Sequence, residues 1–457
     1  SDYNVIILCK DHSCKKNIND IIPDVHVLVE VEDDFCSKAV KHKYDIIKES
    51  LVREKKYGET FSFLISSNRA LGKGYLFNAD KYPDQGKTWW PFKKKLKKIL
   101  IEYIYWEYIV DKYSPVLILG HEHITILSIV SRYNKIKYLC VLKARFSNKY
   151  MWTENEYAQN REFAERVENN TNNLSDIVKV ASNVEYIHDC DSLYDLSTIS
   201  YDFKTTLKKT IRLFIYDSYR KIRKTYNVDS YKPWAWLPTI FGSYFRYKYF
   251  LKYGEKPDDL RDYKIVYFAL HKEPESSLQH WSPEFNNSME IIAWVSKSLK
   301  ADTLLVVREH PYSYGIRSKL FHDNLRRIGN VVLAHPEIPS WEWIKRSKLV
   351  VSITGTVGVE AVYFGKPVIT FGRHLPIRYL PTVRYADSYD KTKEVVGELL
   401  SLSENNKLFE ISKKAIYHAQ MDVSFEMNDF FKKNRSNALQ MDLAKIIVED
   451  LKKRYNL

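Results

Sequence analysis

The chain has 457 residues, 45% of them apolar, enough to bury a core that divides into two or three domains and to exclude a disordered tail or a fibre. Its formal net charge of +14 and pI near 9.1 call for an anionic partner: a nucleic acid, an acidic membrane surface, or a phosphorylated or acidic substrate. Five cysteines, Cys9, Cys14, Cys36, Cys140 and Cys190, are odd in number and lack the short paired spacings of a zinc site or a disulfide scaffold, which fits a reducing cytoplasm. No apolar run reaches the length of a membrane-spanning helix, and the chain's opening, which starts at Ser1, lacks the order of a signal peptide, so a soluble or peripheral protein is expected.

In chain order, Val5 to Leu8, Val25 to Val31, Phe61 to Ile65, Val116 to Leu119 and Tyr138 to Leu142 read as strands alternating with helical stretches, the pattern of an α/β domain with a mostly parallel sheet. Tyr150 to Thr225 is polar and helical in character, an insertion and linker in which Asn169 to Asn173 reads as a surface loop. A second α/β unit begins near Asp262. Its strands are Ile265 to Leu270, Thr303 to Val307, Asn330 to Leu333, Leu349 to Ile353 and Pro367 to Phe371, with amphipathic segments between them, the rhythm of a doubly wound domain. Beyond Tyr385 the chain reads as helical. The expected division is 1–155, a Rossmann-like domain; 156–258, a helical insertion and linker; 259–390, a second Rossmann-like domain; and 391–457, C-terminal helices.

Ligands of open α/β sheets sit at the carboxyl ends of the strands, so the loops there carry the chemistry. After Leu349 to Ile353 come Ser352, Thr354, Gly355, Thr356 and Glu360. Small residues at a strand-to-helix turn leave N–H groups open to a phosphate, and Glu360 is placed to hold ribose hydroxyls; the plain alternative is a capped turn. Arg308, Glu309, His310 and Pro311 follow the second strand. His310 there donates to a phosphate or, protonated, neutralises charge on a leaving nucleotide; a capping or core histidine is the alternative. His271 and Glu275, after the first strand, face the same cleft, with an exposed charged loop as the alternative.

The segments VYFALHKEPESS, LLVVREHP and WIKRSKLVVSITGTVGVEAVYFGKPVITFG, in this order between Ile265 and Arg373, resemble the capsule polysaccharide biosynthesis family, which includes Kdo transferases. The resemblance implies an α/β, GT-B-like fold: two Rossmann-like domains facing across a cleft, with a helical insertion and C-terminal helices. It also implies a nucleotide-sugar donor bound by the second domain, no obligatory metal and no other cofactor. Carried onto this chain, His310 contacts the donor phosphate, Ser352 and Thr354 to Thr356 cradle it, and Glu360 holds ribose or base; His271, Glu275 and Arg308 complete the donor side. The His310–Pro311 pair is similar to the motif by which bacterial sialyltransferases hold a CMP-sugar phosphate. Where many members carry Gln, this chain has Glu273, which leaves the sugar open.

In the first half, Glu122 follows the strand Val116 to Leu119 and is the candidate general base facing the second domain; a capping role is its alternative. A metal at His121 and His123 is disfavoured, since residues two apart on a helix point away from one another. Arg69, Lys73 and Arg145 are candidate acceptor contacts. Two aromatic and basic runs, Trp89 to Lys98 and Trp234 to Tyr249, suit an anionic membrane surface or pack inside. The expectation is a glycosyltransferase using a nucleotide sugar, such as CMP-Kdo, on a glycan or glycolipid acceptor at the cytoplasmic face of a membrane. Its alternatives are a nucleotide-sugar epimerase or polyol-phosphate transferase on the same scaffold, a nucleic-acid-binding protein, against which the absence of a recognisable binding motif speaks, and an inactive scaffold.

Overall fold

The computed structural model describes residues 6–10, 12, 15, 28–83, 86–120, 123–172, 201–223, 231–372, 375–402, 406–427 and 437–455. In the N-terminal part, β1 (Ile6–Cys9) and β2 (Leu28–Val31) form a parallel pair. A four-stranded sheet follows, whose first three strands in the chain are β3 (Leu117–Gly120), β4 (Lys137–Lys143) and β5 (Lys149–Thr153), the fourth coming from the C-terminal chain. β3 and β4 are parallel and joined through the helix Thr125–Tyr133, whereas β5 turns back antiparallel to β4. The reversal runs through Arg145 and Ser147 at φ 59° and 50°, left-handed backbone that is uncommon outside tight turns.

Two local expectations are corrected. Phe61 to Ile65 is helical, part of Phe61–Ser67. Thr60 caps this helix by accepting from the Phe63 N–H at 3.2 Å, and Phe61, Leu64 and Ile65 are buried at helical spacing, a period that a short apolar run does not reveal. The Asn-rich stretch is likewise no loop up to Asn172, because the helix Arg161–Asn172 continues through it. Val167 and Phe163 of that helix are buried, and Asn170 donates to the Ala415 carbonyl at 3.2 Å. Asn173 lies outside the described residues.

The second unit holds β6 (Lys264–Ala269), β7 (Thr303–Arg308), β8 (Val331–Leu333), β9 (Leu349–Ser352), β10 (Val368–Thr370) and β11 (Val383–Tyr385). All five expected strands are present and β11 adds an edge. Every pairing is parallel, and the spatial order β11-β10-β9-β6-β7-β8 is the 3-2-1-4-5-6 order of a doubly wound dinucleotide fold read from its other end. Residues along β6 alternate between two cores: Ile265 and Tyr267 on one face, Val266 and Phe268 on the other. A parallel strand buried on both faces is apolar throughout, and so reads in the sequence as an unbroken run.

The C-terminal chain returns to the first unit. The helix Asn406–Val423 lies beside Arg161–Asn172, and β12 (Phe425–Glu426) adds to the edge of β5. Gln420 donates to the Ala144 carbonyl at 2.9 Å and accepts from Tyr363 OH at 2.5 Å, so one buried amide binds both units.

Gly315 shows how tightly the second unit is covered. A Cβ there would stand 1.9 Å from the Thr239 carbonyl oxygen, at the start of the helix Leu237–Tyr253. Gly315→Ala should therefore destabilise the protein by about 1–3 kcal/mol, read as a lower denaturant midpoint; a midpoint like wild type would show that this helix is free to shift.

Candidate functional site

The order of the second sheet reverses between β6 and β9, so the loops leaving these strands part there and open a crevice. Three loops converge at this place. The first carries His271 after β6, the second Arg308 to Pro311 after β7, and the third Ile353 to Thr356 after β9, ahead of the helix Thr356–Tyr363.

The Thr354 N–H donates to His271 Nε2 at 3.3 Å. Since an acceptor nitrogen carries no proton, neutral His271 holds its proton on Nδ1. Burial, then the nearby His310, Arg145 and Arg317, bring its pKa down to about 3. His310 follows the same logic: its Nδ1 accepts from the Tyr312 N–H at 3.2 Å, so the neutral ring bears its proton on Nε2, as a donor. Burial is the main cause of a pKa of about 3, with Arg317, Lys272 and Arg308 adding to it against Glu309. Of the two roles expected of His310, this environment favours the neutral hydrogen-bond donor over the cation. The ring sits in a desolvated pocket among fixed positive charges and is a neutral hydrogen-bond donor at physiological pH.

The third loop is braced from within. Ser352, expected in the cradle, is buried and its hydroxyl donates to the Gly355 carbonyl at 3.3 Å. Gly355 lies against the His271 ring, where a Cβ would come within 3.2 Å of Cε1. Thr354 Oγ1 is buried and has no hydrogen-bond partner among the described residues, a costly state for a hydroxyl unless a ligand completes it. Thr356 is exposed at the first turn of its helix. Glu360, one turn on, has its carboxyl pushed up by burial, with a hydrogen bond from Thr356 and the charge of Arg308 opposing.

The loops after β6 and β7 are tied together beneath this surface by a group the sequence does not announce. Arg317 is 1% exposed; its guanidinium binds Glu309, reaches Glu273 at 3.1 Å and donates to the His271 carbonyl at 2.6 Å. Glu309 also accepts from the His310 N–H at 2.7 Å and pairs with buried His322 at 2.8 Å. Burial opposes the charge on Glu309, but Arg317 and His322 outweigh it and hold the carboxyl below its usual range. For Glu273 burial wins over Arg317, and its carboxyl is raised.

The first unit meets this surface directly. Arg145 Nη1 donates to the Thr354 carbonyl at 2.6 Å, and the guanidinium lies 5.6 Å from the centre of the Trp281 ring. Thr125 and His280 meet at 2.9 Å, and burial, then Arg69, brings His280 down to about 4. A cavity of about 40 Å³ between Arg145, Trp281, Thr354 and Gln420 has room for water. The structure thus brings together His271, His310, Arg308, Ser352, Thr354, Gly355, Thr356, Glu360 and Arg145. Glu275 is partly buried on the same β6 loop, and Arg69 stands exposed on the side of His280. Lys73 lies in a single turn at Lys73–Tyr75, and among the described residues no hydrogen bond or ion pair joins it to this cluster. Glu122 lies outside the described residues. Among the described residues no three His, Cys, Asp or Glu side chains stand together as a metal site. Trp281, His280 and Arg317 are not singled out by the sequence; the cue for Arg317 is its being the one charge in the turn from Pro311 to Arg317.

Two outcomes follow from this electrostatics. Arg317→Ala leaves Glu309 buried and short of its cation, and should cost about 3–5 kcal/mol in urea unfolding. His271 and His310 have folded pKa values of about 3 against 6.5 for the free side chain, so below 6.5 the unfolded chain binds protons first. Their contribution is intact above pH 6.5 and is lost as the pH falls toward 3, by up to about 1.4 kcal/mol per pH unit for each ring. His271→Gln should flatten the fall in stability between pH 6.5 and 4.5; a slope unchanged from wild type would mean that this ring titrates normally in the folded protein.

The family model described as "Capsule polysaccharide biosynthesis protein" matches residues 197–375, the segment that carries β6 to β10 and all the donor-side loops. No curated protein matches the sequence. Among solved structures the chain is similar to Anabaena Alr3699/HepE in complex with UDP-glucose, at 12% identity and a TM-score of 0.28, over 42% of this chain and 50% of that one. It is also similar to the glycotransferase of kitacinnamycin, at 14% identity and TM-score 0.27, over 42% and 43%. For Thermosulfurimonas dismutans KpsC, beta Kdo 2,7 transferase, the figures are 11% and 0.32, over 75% and 88%. The chain thus spans half or less of the length of the first two. The family match thus spans residues 197–375, less than half of this chain.

Proposed function

We propose that this protein is a glycosyltransferase that moves a sugar from a nucleotide-activated donor to an acceptor in the assembly of a cell-surface polysaccharide. The observation that carries the reading is the convergence of three features at the strand-order reversal: the Thr354 hydroxyl, buried without a hydrogen-bond partner among the described residues, the turn at Gly355 leading into the helix Thr356–Tyr363, and neutral His310 with its proton on Nε2. The family match over the same segment supports it.

In this reading the donor diphosphate or phosphodiester lies against Thr354, Gly355 and Thr356, with His310 donating to a phosphate oxygen and Arg308 adding charge. A preorganised neutral donor and a fixed cation stabilise negative charge developing on the departing nucleotide without a proton having to be delivered first. Glu360 accepts from ribose hydroxyls, the hydrogen bonds offsetting the burial that raises its carboxyl. The first unit presents the acceptor, with Arg145 and Arg69 on its side of the interface, and Glu122, which follows β3 in the sequence, as the base that takes the acceptor proton. The finer reading, a CMP-linked donor such as CMP-Kdo, rests on the resemblance of the His310–Pro311 pair to a CMP-sugar motif.

A thermal-shift series with CMP, UDP, GDP, CDP and ADP tests this. A nucleotide at 100 times its Kd should stabilise by about 2.7 kcal/mol. His310→Asn retains an acceptor for the Tyr312 N–H but loses the Nε2 donor, so it should unfold near the wild-type Tm and show no nucleotide shift. No response of the wild type to any nucleotide would overturn the reading. With the responding nucleotide's sugar as donor, Glu122→Gln should lower kcat by about 100-fold or more with donor affinity unchanged; kcat within a few-fold of wild type would remove Glu122 from the chemistry.

A further inference from the structure

The helix Phe203–Arg223 is 21 residues long and packs against Leu237–Tyr253 through a narrow face that includes buried Thr206 and Asp217. One stripe of its outer surface is unusually apolar. Leu207 (39% exposed), Ile211 (51%), Phe214 (52%), Ile215 (63%), Tyr219 (54%) and Ile222 (80%) all face outward. They recur at steps of three, four and seven, which places them in one stripe along the helix. Phe241 and Phe245 of the neighbouring helix, 38% and 56% exposed, extend the same patch. A contiguous apolar surface of this kind marks an interaction site.

The charges around the stripe select its occupant. Lys204, Lys208, Lys209, Arg212, Lys221 and Arg223 are all exposed on the same helix. Its one acidic residue, Asp217, is buried, where it accepts from the Trp234 N–H at 2.6 Å and from Arg220 at 3.1 Å. A second copy of this chain docking through the same patch would set this basic helix against its own like charges. Neither is the helix a membrane span, since no helix among the described residues is long and apolar enough to cross a bilayer. We infer that Phe203–Arg223 lies along an anionic lipid surface, its Ile, Leu and Phe side chains entering the acyl boundary and its lysines and arginines at the headgroups.

The two runs singled out in the sequence contribute less. Trp89 and Phe92 are 84% and 58% exposed, but Lys95 donates to the Leu71 carbonyl, Lys97 to the Val40 carbonyl, and Lys98 pairs with Glu102. In the second run, Trp236 packs edge-on to Tyr82 and Tyr249 is buried. The helix between them, not singled out in the sequence reading, is the stronger surface.

Sedimentation of the full chain with phosphatidylcholine vesicles, with and without phosphatidylglycerol, tests this independently of any turnover. The wild type should bind the vesicles containing phosphatidylglycerol and be released by high salt. The double substitution Ile215→Glu and Ile222→Glu, at positions already open to solvent, should keep the wild-type Tm and weaken binding about tenfold or more; Lys208→Glu with Arg212→Glu should do the same. Three results would each overturn the inference: no binding by the wild type, undiminished binding by a folded variant, or a wild-type dimer in light scattering that the isoleucine variant turns monomeric.

Discussion

The crevice depends on a guanidinium that is almost wholly buried beneath it. Arg317 lies below the loops after β6 and β7, binding Glu309 and Glu273 and the carbonyl of His271. Burying three charged groups and a histidine gains little net stability, because desolvation offsets most of the attraction. Its effect is positional. Glu309 holds the His310 N–H, and the His271 carbonyl is held by Arg317 itself, so the two histidines that line the crevice are fixed relative to one another through one buried cation. That preorganisation is what a group stabilising a developing charge requires.

Burial first, and then the positive charge nearby, explains why both histidines are neutral. In an open loop each would titrate near 6.5. Here burial removes water, and Arg145, Arg308, Lys272 and Arg317 stand close enough to oppose another cation. The backbone then selects the tautomer, since the N–H groups of Thr354 and Tyr312 each claim one ring nitrogen. The result is a crevice in which Arg308, Arg145 and Lys272 stand near neutral, directed histidines, an arrangement suited to a phosphorylated ligand.

The two units are held together by more than the contact at Thr354. The chain leaves the second unit, crosses as the helix Asn406–Val423 and adds β12 to the first sheet, while Gln420 bonds both units at once. The interface is thus a covalent and hydrogen-bonded continuity, and Arg145, carried on the left-handed turn between β4 and β5, is its point of contact with the β9 loop.

Much of the second unit was legible in the sequence because a parallel strand covered on both faces is an unbroken apolar run, as in Leu349 to Ile353, and the residues just beyond it are by topology those of the crevice. Phe61 to Ile65 shows the limit: five residues of that kind fit either period, and the Thr60 cap with one buried face made them helix. Composition and pattern determined the α/β class, the strands of the second unit and the loops that carry His271, His310 and Thr354. Only the tertiary structure decided the strand order that sets these loops at one crevice, the neutrality of the histidines, the role of Arg317 and the exposure of the Phe203–Arg223 stripe. Each of these depends on residues distant in the chain, through strand pairing for the order and through desolvation and charge for the histidines and Arg317, and an amphipathic pattern alone does not say whether its apolar face meets a core or is left open.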